Sequence, residues 1–285
     1  MSVRNISDTA RWVAWYRAVE SDRPDALFHD PYARRLAGTR GADIARTMPG
    51  AKSLGWVMVT RTCLFDELVM RAVTSGAVDT VLNLAAGFDA RPYRLPLPAA
   101  LHWVEVDLPP LLEEKQSLLA GERPACELET VPLDLADVAG RAALFARVGA
   151  RSRGVLVLTE GLLAYLAPED VLALARALHV QAPIRQWTTD LASPYIMKRV
   201  MKRANDRLRQ AGSAFRFAPE EGEEFFRPAG WVATEFHSMM EEAQRLGREM
   251  PLAGFFRLLS RLMPPGRRAE MARRYRSGVV LLERT

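Results

Sequence analysis

The sequence predicts an α/β fold, an open and mainly parallel sheet with helices on both faces and a nucleoside-binding half near its start. Three observations predict it. Residues 80–84 are an apolar strand that breaks at Ala85-Ala86-Gly87 into Asp89 and Arg91, a small-residue turn that lets a ligand approach the backbone. A second apolar strand, 103–106, ends on Asp107, an acid placed to accept both hydroxyls of a ribose. Five further strand candidates follow, most of them separated by helical patterns. Strand, turn and strand-end acid together point to an adenosine cofactor. Taken singly, the turn also reads as an ordinary strand-to-helix turn, and Asp107 as a helix N-cap ahead of Pro109.

Along the chain, residues 11–19 read as a helix. Asp30-Pro31 reads as the start of a short helix, with Asp30 as N-cap, Pro31 at N1 and Gly38 closing it. Residues 54–75 form a longer amphipathic helix that carries Arg61 and is stopped by Gly76. Strands are expected at 80–84, 103–106, 128–133, 155–159, 185–190, 231–236 and 278–282. The connections 193–230 and 238–277 are longer than a simple crossover needs. With the N-terminal residues 1–50 they are expected to form a helical lid over the carboxyl ends of the strands, where open α/β sheets bind ligands. The whole of 1–285 then forms one domain, with 193–230 as an inserted lid or substrate segment. Pro264-Pro265-Gly266 reads as a turn between helices.

A chain of 285 residues, 49% of them hydrophobic, is long enough to bury a large core. Cys63 and Cys126 lie far apart without metal-ligand spacing, so no metal site is expected, and a reducing, cytoplasmic compartment fits. The first dozen residues lack an apolar signal core, and Thr159 and Glu160 interrupt the most apolar later stretch, so neither secretion nor membrane spanning is expected. The formal charge is +5, but its placement matters more. Nine arginines between 245 and 276 face only Glu249 and Glu270, and Lys198-Arg199 with Lys202-Arg203 adds a basic helix. Such runs are commonly solvated helix faces; the alternatives are an acidic partner, such as a carrier protein, or nucleic acid. The absence of aromatic-basic interleaving places nucleic acid last.

Arg61-Thr62 on a helix, then LNLAAGFDARPYRL, VEVDLP, PLDL and TEGLLAYL, run in the order seen in the leucine carboxyl methyltransferase family. The chain resembles that family over nearly its whole length, including an N-terminal block from Asp8-Thr9-Ala10 to ALFHDPYARRLAG. The resemblance implies a class I methyltransferase fold, a Rossmann-like seven-stranded sheet whose last strand runs antiparallel beside the fifth. It also implies S-adenosylmethionine (SAM) as cofactor. The sequence departs from the family at one point of the first loop, which usually reads G-x-G: Ala85 stands at the first glycine.

SAM presents a sulfonium, a zwitterionic methionine tail, a ribose and an adenine, and the resemblance supplies a group for each. Arg61 would grip the tail carboxylate in a bidentate way. The backbone at Ala85 and Gly87 would pass beneath the methionine and ribose, and Asp89 would either cap the turn or hold the ammonium through water. Asp107, with Leu108, would bind the ribose, and Asp134 and Leu135 the adenine. Glu160, at the exit of a buried strand, needs a cationic partner, which the cofactor's ammonium would provide. Tyr165 would face the reactive sulfur and, with Arg61, form the catalytic pair. His29, His102, His179 and His237 offer little as bases, His237 alone being near a pocket mouth. A carboxylate acceptor needs no base, whereas a phenol benefits from one. The expected activity is therefore SAM-dependent O-methylation of a small molecule, at a carboxylate first and a phenolic hydroxyl second. A nucleic-acid methyltransferase and a nucleoside-binding regulator without catalysis are the other classes; Arg61, Glu160 and Tyr165 together speak against the regulator.

Overall fold

The computed structural model describes residues 6–48, 51–210, 214–250, 252–255, 259 and 262–285. Its centre is a seven-stranded sheet built from β1 (Thr80–Leu84), β2 (His102–Asp107), β3 (Glu127–Pro132), β4 (Val155–Thr159), β5 (Ile184–Leu191), β6 (Trp231–Ser238) and β7 (Gly278–Arg284). The strand order is β3-β2-β1-β4-β5-β7-β6. β1 to β5 pair in parallel, whereas β7 runs antiparallel to both β5 and β6. Every expected strand is present within two residues of its expected ends.

β1 and β4 are buried along their whole length because helices cover both faces of the sheet. On one face Leu82, Leu84, Val104 and Val106 pack with Leu144, Phe145 and Val148 of α6 (Val138–Arg151) and Leu174 and Leu178 of α7 (Pro168–His179). On the other, Val81, Trp103, Leu156 and Leu158 pack with Leu64, Phe65, Leu68 and Val69 of α3 (Ala51–Thr74). The alternation along each strand is what divides the two sets. The parallel pairing aligns the carboxyl ends of the strands, so that the side chains following β1, β2, β4 and β5 share one end of the sheet.

The N-terminal block contains α1 (Ile6–Ser21) and α2 (Ala33–Thr47). It packs against the insert: Trp12, Tyr16 and Ile44 share a core with Ala204 and Leu208 of α8 (Lys202–Gln210) and with Phe215. The insert in turn reaches the segment after β4, because the backbone N–H groups of Arg216 and Phe217 both donate to the carbonyl of Ala164, at 2.6 and 3.2 Å.

Three local expectations are corrected. The helix expected at Asp30-Pro31 begins at Ala33, with Tyr32 as its N-cap residue. Asp30 is drawn inward, where one oxygen accepts from Arg17 Nε at 2.8 Å and the other from the backbone N–H of Tyr32 at 3.0 Å. Gly38 kinks the helix through its φ of +56° instead of ending it, and the helix resumes to Thr47. Pro264-Pro265-Gly266 starts a helix, since Pro265 is its first residue. Within 238–277 lie α9 (Met239–Arg245) and this last helix, α10 (Pro265–Arg274), which contributes no buried residue. Arg257 and Arg261 of the basic run lie outside the described residues. Among the described residues no helix is long and apolar enough to cross a membrane.

Candidate active site

The turn after β1 is shaped by two left-handed residues, Ala85 at φ +56° and Gly87 at φ +52°. The Ala86 N–H donates to the Val106 carbonyl at 3.1 Å, which fastens the turn to β2. Asp107 completes the link: one oxygen accepts from the Gly87 N–H and the other from the Leu108 N–H, both at 2.7 Å. Burial pushes the Asp107 carboxyl upward, while these two N–H groups act in the opposite direction. Asp107 is thus more than a cap for α5 (Pro109–Leu118), whose N-cap residue is Leu108.

Ala85 is a Cβ-bearing residue in a conformation that suits glycine. Ala85→Gly is therefore expected to stabilise the fold by about 0.5–1 kcal/mol, the relief of strain exceeding the extra entropy of the unfolded glycine. Urea denaturation of the two proteins checks this, and a less stable glycine variant would contradict it.

Asp89 caps the turn. One oxygen accepts from the Arg91 N–H at 2.9 Å, and the other from Asn83 Nδ2 and Arg91 Nη1, each at 2.8 Å. Burial alone would raise its carboxyl, but Arg91 and Lys115 hold it well below the usual carboxylate range.

From the opposite side α3 brings Arg61, which is 8% exposed. Its Nε donates to Glu160 at 3.0 Å, directly after β4, and its Nη1 to Asp190 at 3.1 Å, near the end of β5. The second Glu160 oxygen lies 2.8 Å from Arg91 Nη1. Burial raises the Glu160 carboxyl, yet Arg91 and Arg61 outweigh it and leave it below its ordinary value. The Gly161 N–H donates to the other Asp190 oxygen at 2.6 Å. Gly161 has φ +69°, and a Cβ there would stand 3.2 Å from Arg61 Nη1, so glycine is what lets the guanidinium lie against this turn. Arg91 and Arg94 both reach Asp66 on α3 at 2.7 Å.

Tyr165 closes a short 3-10 turn, Leu163–Tyr165. Its side chain is hydrogen-bonded to Thr9, and its ring lies 5.2 Å from that of Phe215. Burial pushes its hydroxyl up to about 12, with Arg61 and Thr9 acting the other way. N-terminal block, insert and β4 exit therefore converge at this tyrosine.

Asp134 and Leu135 lie just past β3. Asp134 is exposed and accepts from the Ala136 N–H at 2.9 Å, and Leu135 is half-buried, its carbonyl accepting from Arg141 Nη1 at 2.9 Å. The histidines stand apart from the arginine network. His102 pairs with Glu129, His237 lies between Glu235 and Glu242, His179 packs edge-on against Trp231, and His29 is exposed.

The sequence reading did not assign roles to Arg91, Asp66 and Asp190. Asp190 was accessible to the rule that singled out Asp107, an acid at the end of a predicted strand. Asp66 and Arg91 gain meaning only from the packing of α3 on the β1 turn.

Five parallel strands extended by an antiparallel β7, with acids gathered at the carboxyl ends of β2, β4 and β5, define a class I methyltransferase fold. The family model for leucine carboxyl methyltransferase matches residues 10–179, and the chain belongs to that family. It is 36% identical over 192 residues to a proposed S-adenosyl-L-methionine-dependent methyltransferase of Mycobacteroides abscessus; the match takes in 64% of this chain and 62% of that protein, so it spans about three fifths of that relative's length. A proposed methyltransferase of the same kind from Mycobacterium sp. is 32% identical over 273 residues, 87% of this chain and 89% of the relative. A solved protein of the DUF574 family from Streptomyces avermitilis shares the fold at a TM-score of 0.62 and 14% identity, over 97% of each chain.

Proposed function

We propose that the protein is a SAM-dependent O-methyltransferase acting on a small-molecule acceptor, in first place at a carboxylate. The observation that carries this reading is the state of Arg61. Its Nε and Nη1 are held by Glu160 and Asp190, and no hydrogen bond from Nη2 to protein is made among the described residues. A buried guanidinium held at Nε and Nη1 keeps Nη2 as an uncommitted donor for an incoming carboxylate. The residues fit SAM in other respects. The Asp107 oxygens each hold one N–H group and keep further lone pairs for ribose hydroxyls. Gly87 and Ala85 keep the turn free of bulk, and Leu135 offers an apolar face for adenine beside Asp134. Glu160, expected to find its cationic partner in the cofactor's ammonium, is instead paired with Arg61 and Arg91 of the chain itself.

SAM, when bound, supplies an electrophilic methyl group. The protein's part is to orient the acceptor and exclude water. Tyr165 stays protonated at neutral pH and so acts as a hydrogen-bond donor that positions the acceptor. A carboxylate, with a pKa of about 4, arrives already ionised, which matches a site whose arginine network contains no histidine. An acidic carrier protein is a candidate partner. Arg267, Arg268 and Arg273 on α10 have no ion-pair partner among the described residues, and the Tyr195 and Tyr275 rings, 5.0 Å apart, join this segment to the basic insert.

Tyr165→Phe is expected to slow turnover about tenfold while sparing SAM affinity, as the loss of one positioning hydrogen bond predicts. The product should be a methyl ester that releases methanol in mild alkali, formed at a rate flat from about pH 6 to 8. A base-stable product, or a rate rising with pH, would shift the assignment to a phenol. Arg61→Lys keeps the charge but not the fork, and should weaken SAM binding about tenfold in calorimetry. Parental affinity in that variant would remove Arg61 from the site.

A further inference from the structure

The ion pairs around the β1 turn form one continuous chain. Arg17 pairs with Asp30 at 2.8 Å, Asp30 lies 3.9 Å from Arg94, and Arg94 shares Asp66 with Arg91. Arg91 continues to Asp89 and Glu160, Glu160 to Arg61, and Arg61 to Asp190. Four arginines thus meet five carboxylates, and the chain carries one surplus negative charge. Asp190 is its terminal member. Like Asp89 it has one guanidinium partner, whereas Asp30, Asp66 and Glu160 each face two, but Asp89 also accepts from Asn83 Nδ2. Its side chain is also the most exposed of the five at 22%, against 15% for Glu160 and less for the others.

We infer that Asp190 is a specificity-determining residue whose carboxylate makes the site favour the positively charged cofactor over its neutral demethylated product. The inference rests on the reading of Arg61 and Glu160 as part of the SAM site. SAM and S-adenosylhomocysteine share the ribose, the adenine and the zwitterionic tail, and differ by a methyl group and one positive charge. A surplus carboxylate in a partly desolvated site acts on that difference and leaves the shared parts equal. Asp89, the other acid with a single guanidinium, is the more buried of the two and is held also by Asn83, so the discrimination concentrates at the more exposed Asp190.

Calorimetry with SAM and S-adenosylhomocysteine tests this in the parent, Asp190→Asn and Asp190→Glu. The asparagine keeps an acceptor for the Gly161 N–H and removes the charge. The ratio of product to cofactor dissociation constants should fall about three- to tenfold in Asp190→Asn and recover in Asp190→Glu. In the parent the same ratio should decline as salt is raised, a measurement that needs no variant. A ratio unchanged in Asp190→Asn, even with both affinities lowered together, would overturn the inference and leave Asp190 a structural clasp. A salt-independent ratio in the parent would overturn it as well. Failure of the parent to bind either compound would instead overturn the SAM reading beneath it.

Discussion

Glu160→Gln is expected to destabilise the protein by about 3 kcal/mol and to weaken SAM binding at least tenfold. The carboxylate joins Arg61 to Arg91, its side chain being 15% exposed. A glutamine of the same shape offers one neutral acceptor and an NH2 group that must face one of the two guanidinium groups. Removing one partner from a buried ion pair costs more than the pair contributes, because the remaining charge loses its compensation. Arg61 then loses the contact at Nε that holds its guanidinium in place. The pH dependence follows from the lowered carboxyl of Glu160. Its stabilisation is present above the unfolded value of about 4.5 and is lost as pH falls through the lower folded value, so the variant should lose less stability on acidification than the parent. Urea denaturation at pH 7 and at pH 4 measures both effects. Equal stability at pH 7 would show that the bridge contributes nothing to the fold.

Asp107→Ala is the second large effect, expected to weaken SAM and S-adenosylhomocysteine alike by about 1.5–3 kcal/mol. The ribose is common to both compounds, so the two losses should match, in contrast to the unequal response expected at Asp190. The carboxylate also fastens the β1 turn through the Gly87 N–H, so part of the loss comes from a turn that no longer holds its shape. Calorimetry on the folded variant gives the number. Unchanged affinity would remove Asp107 from the site and return it to the role of a turn clasp.

The strands were legible because their signal is local. Fully buried parallel strands such as β1 and β4 read as short apolar runs bounded by turn residues, and Asp107 and Glu160 stand where such runs stop. Helix starts were less legible wherever a distant residue intervened. Asp30 has the chemistry of an N-cap, but Arg17 claims one of its oxygens and moves the start to Ala33. Glycine at position 38 signals a left-handed residue, and the sequence does not say whether the helix resumes beyond it. Of the candidate site, Arg61, Asp89 and Glu160 share one ion-pair network and Asp107 clasps the same β1 turn, but the place of Arg61 depends on α3 packing against the sheet. Asp66 acquires its partners Arg91 and Arg94 only through that packing. The link from Tyr165 to Thr9 spans the chain from its first helix to the β4 exit, a contact that no periodicity encodes.

Direct titration of the parent protein with SAM, S-adenosylhomocysteine and NAD tests the central claim, that the residues at the carboxyl ends of β1, β2 and β4 form a SAM site. SAM and S-adenosylhomocysteine should each bind at one site per chain, with NAD giving no heat. Clear binding of NAD without binding of SAM would contradict the account.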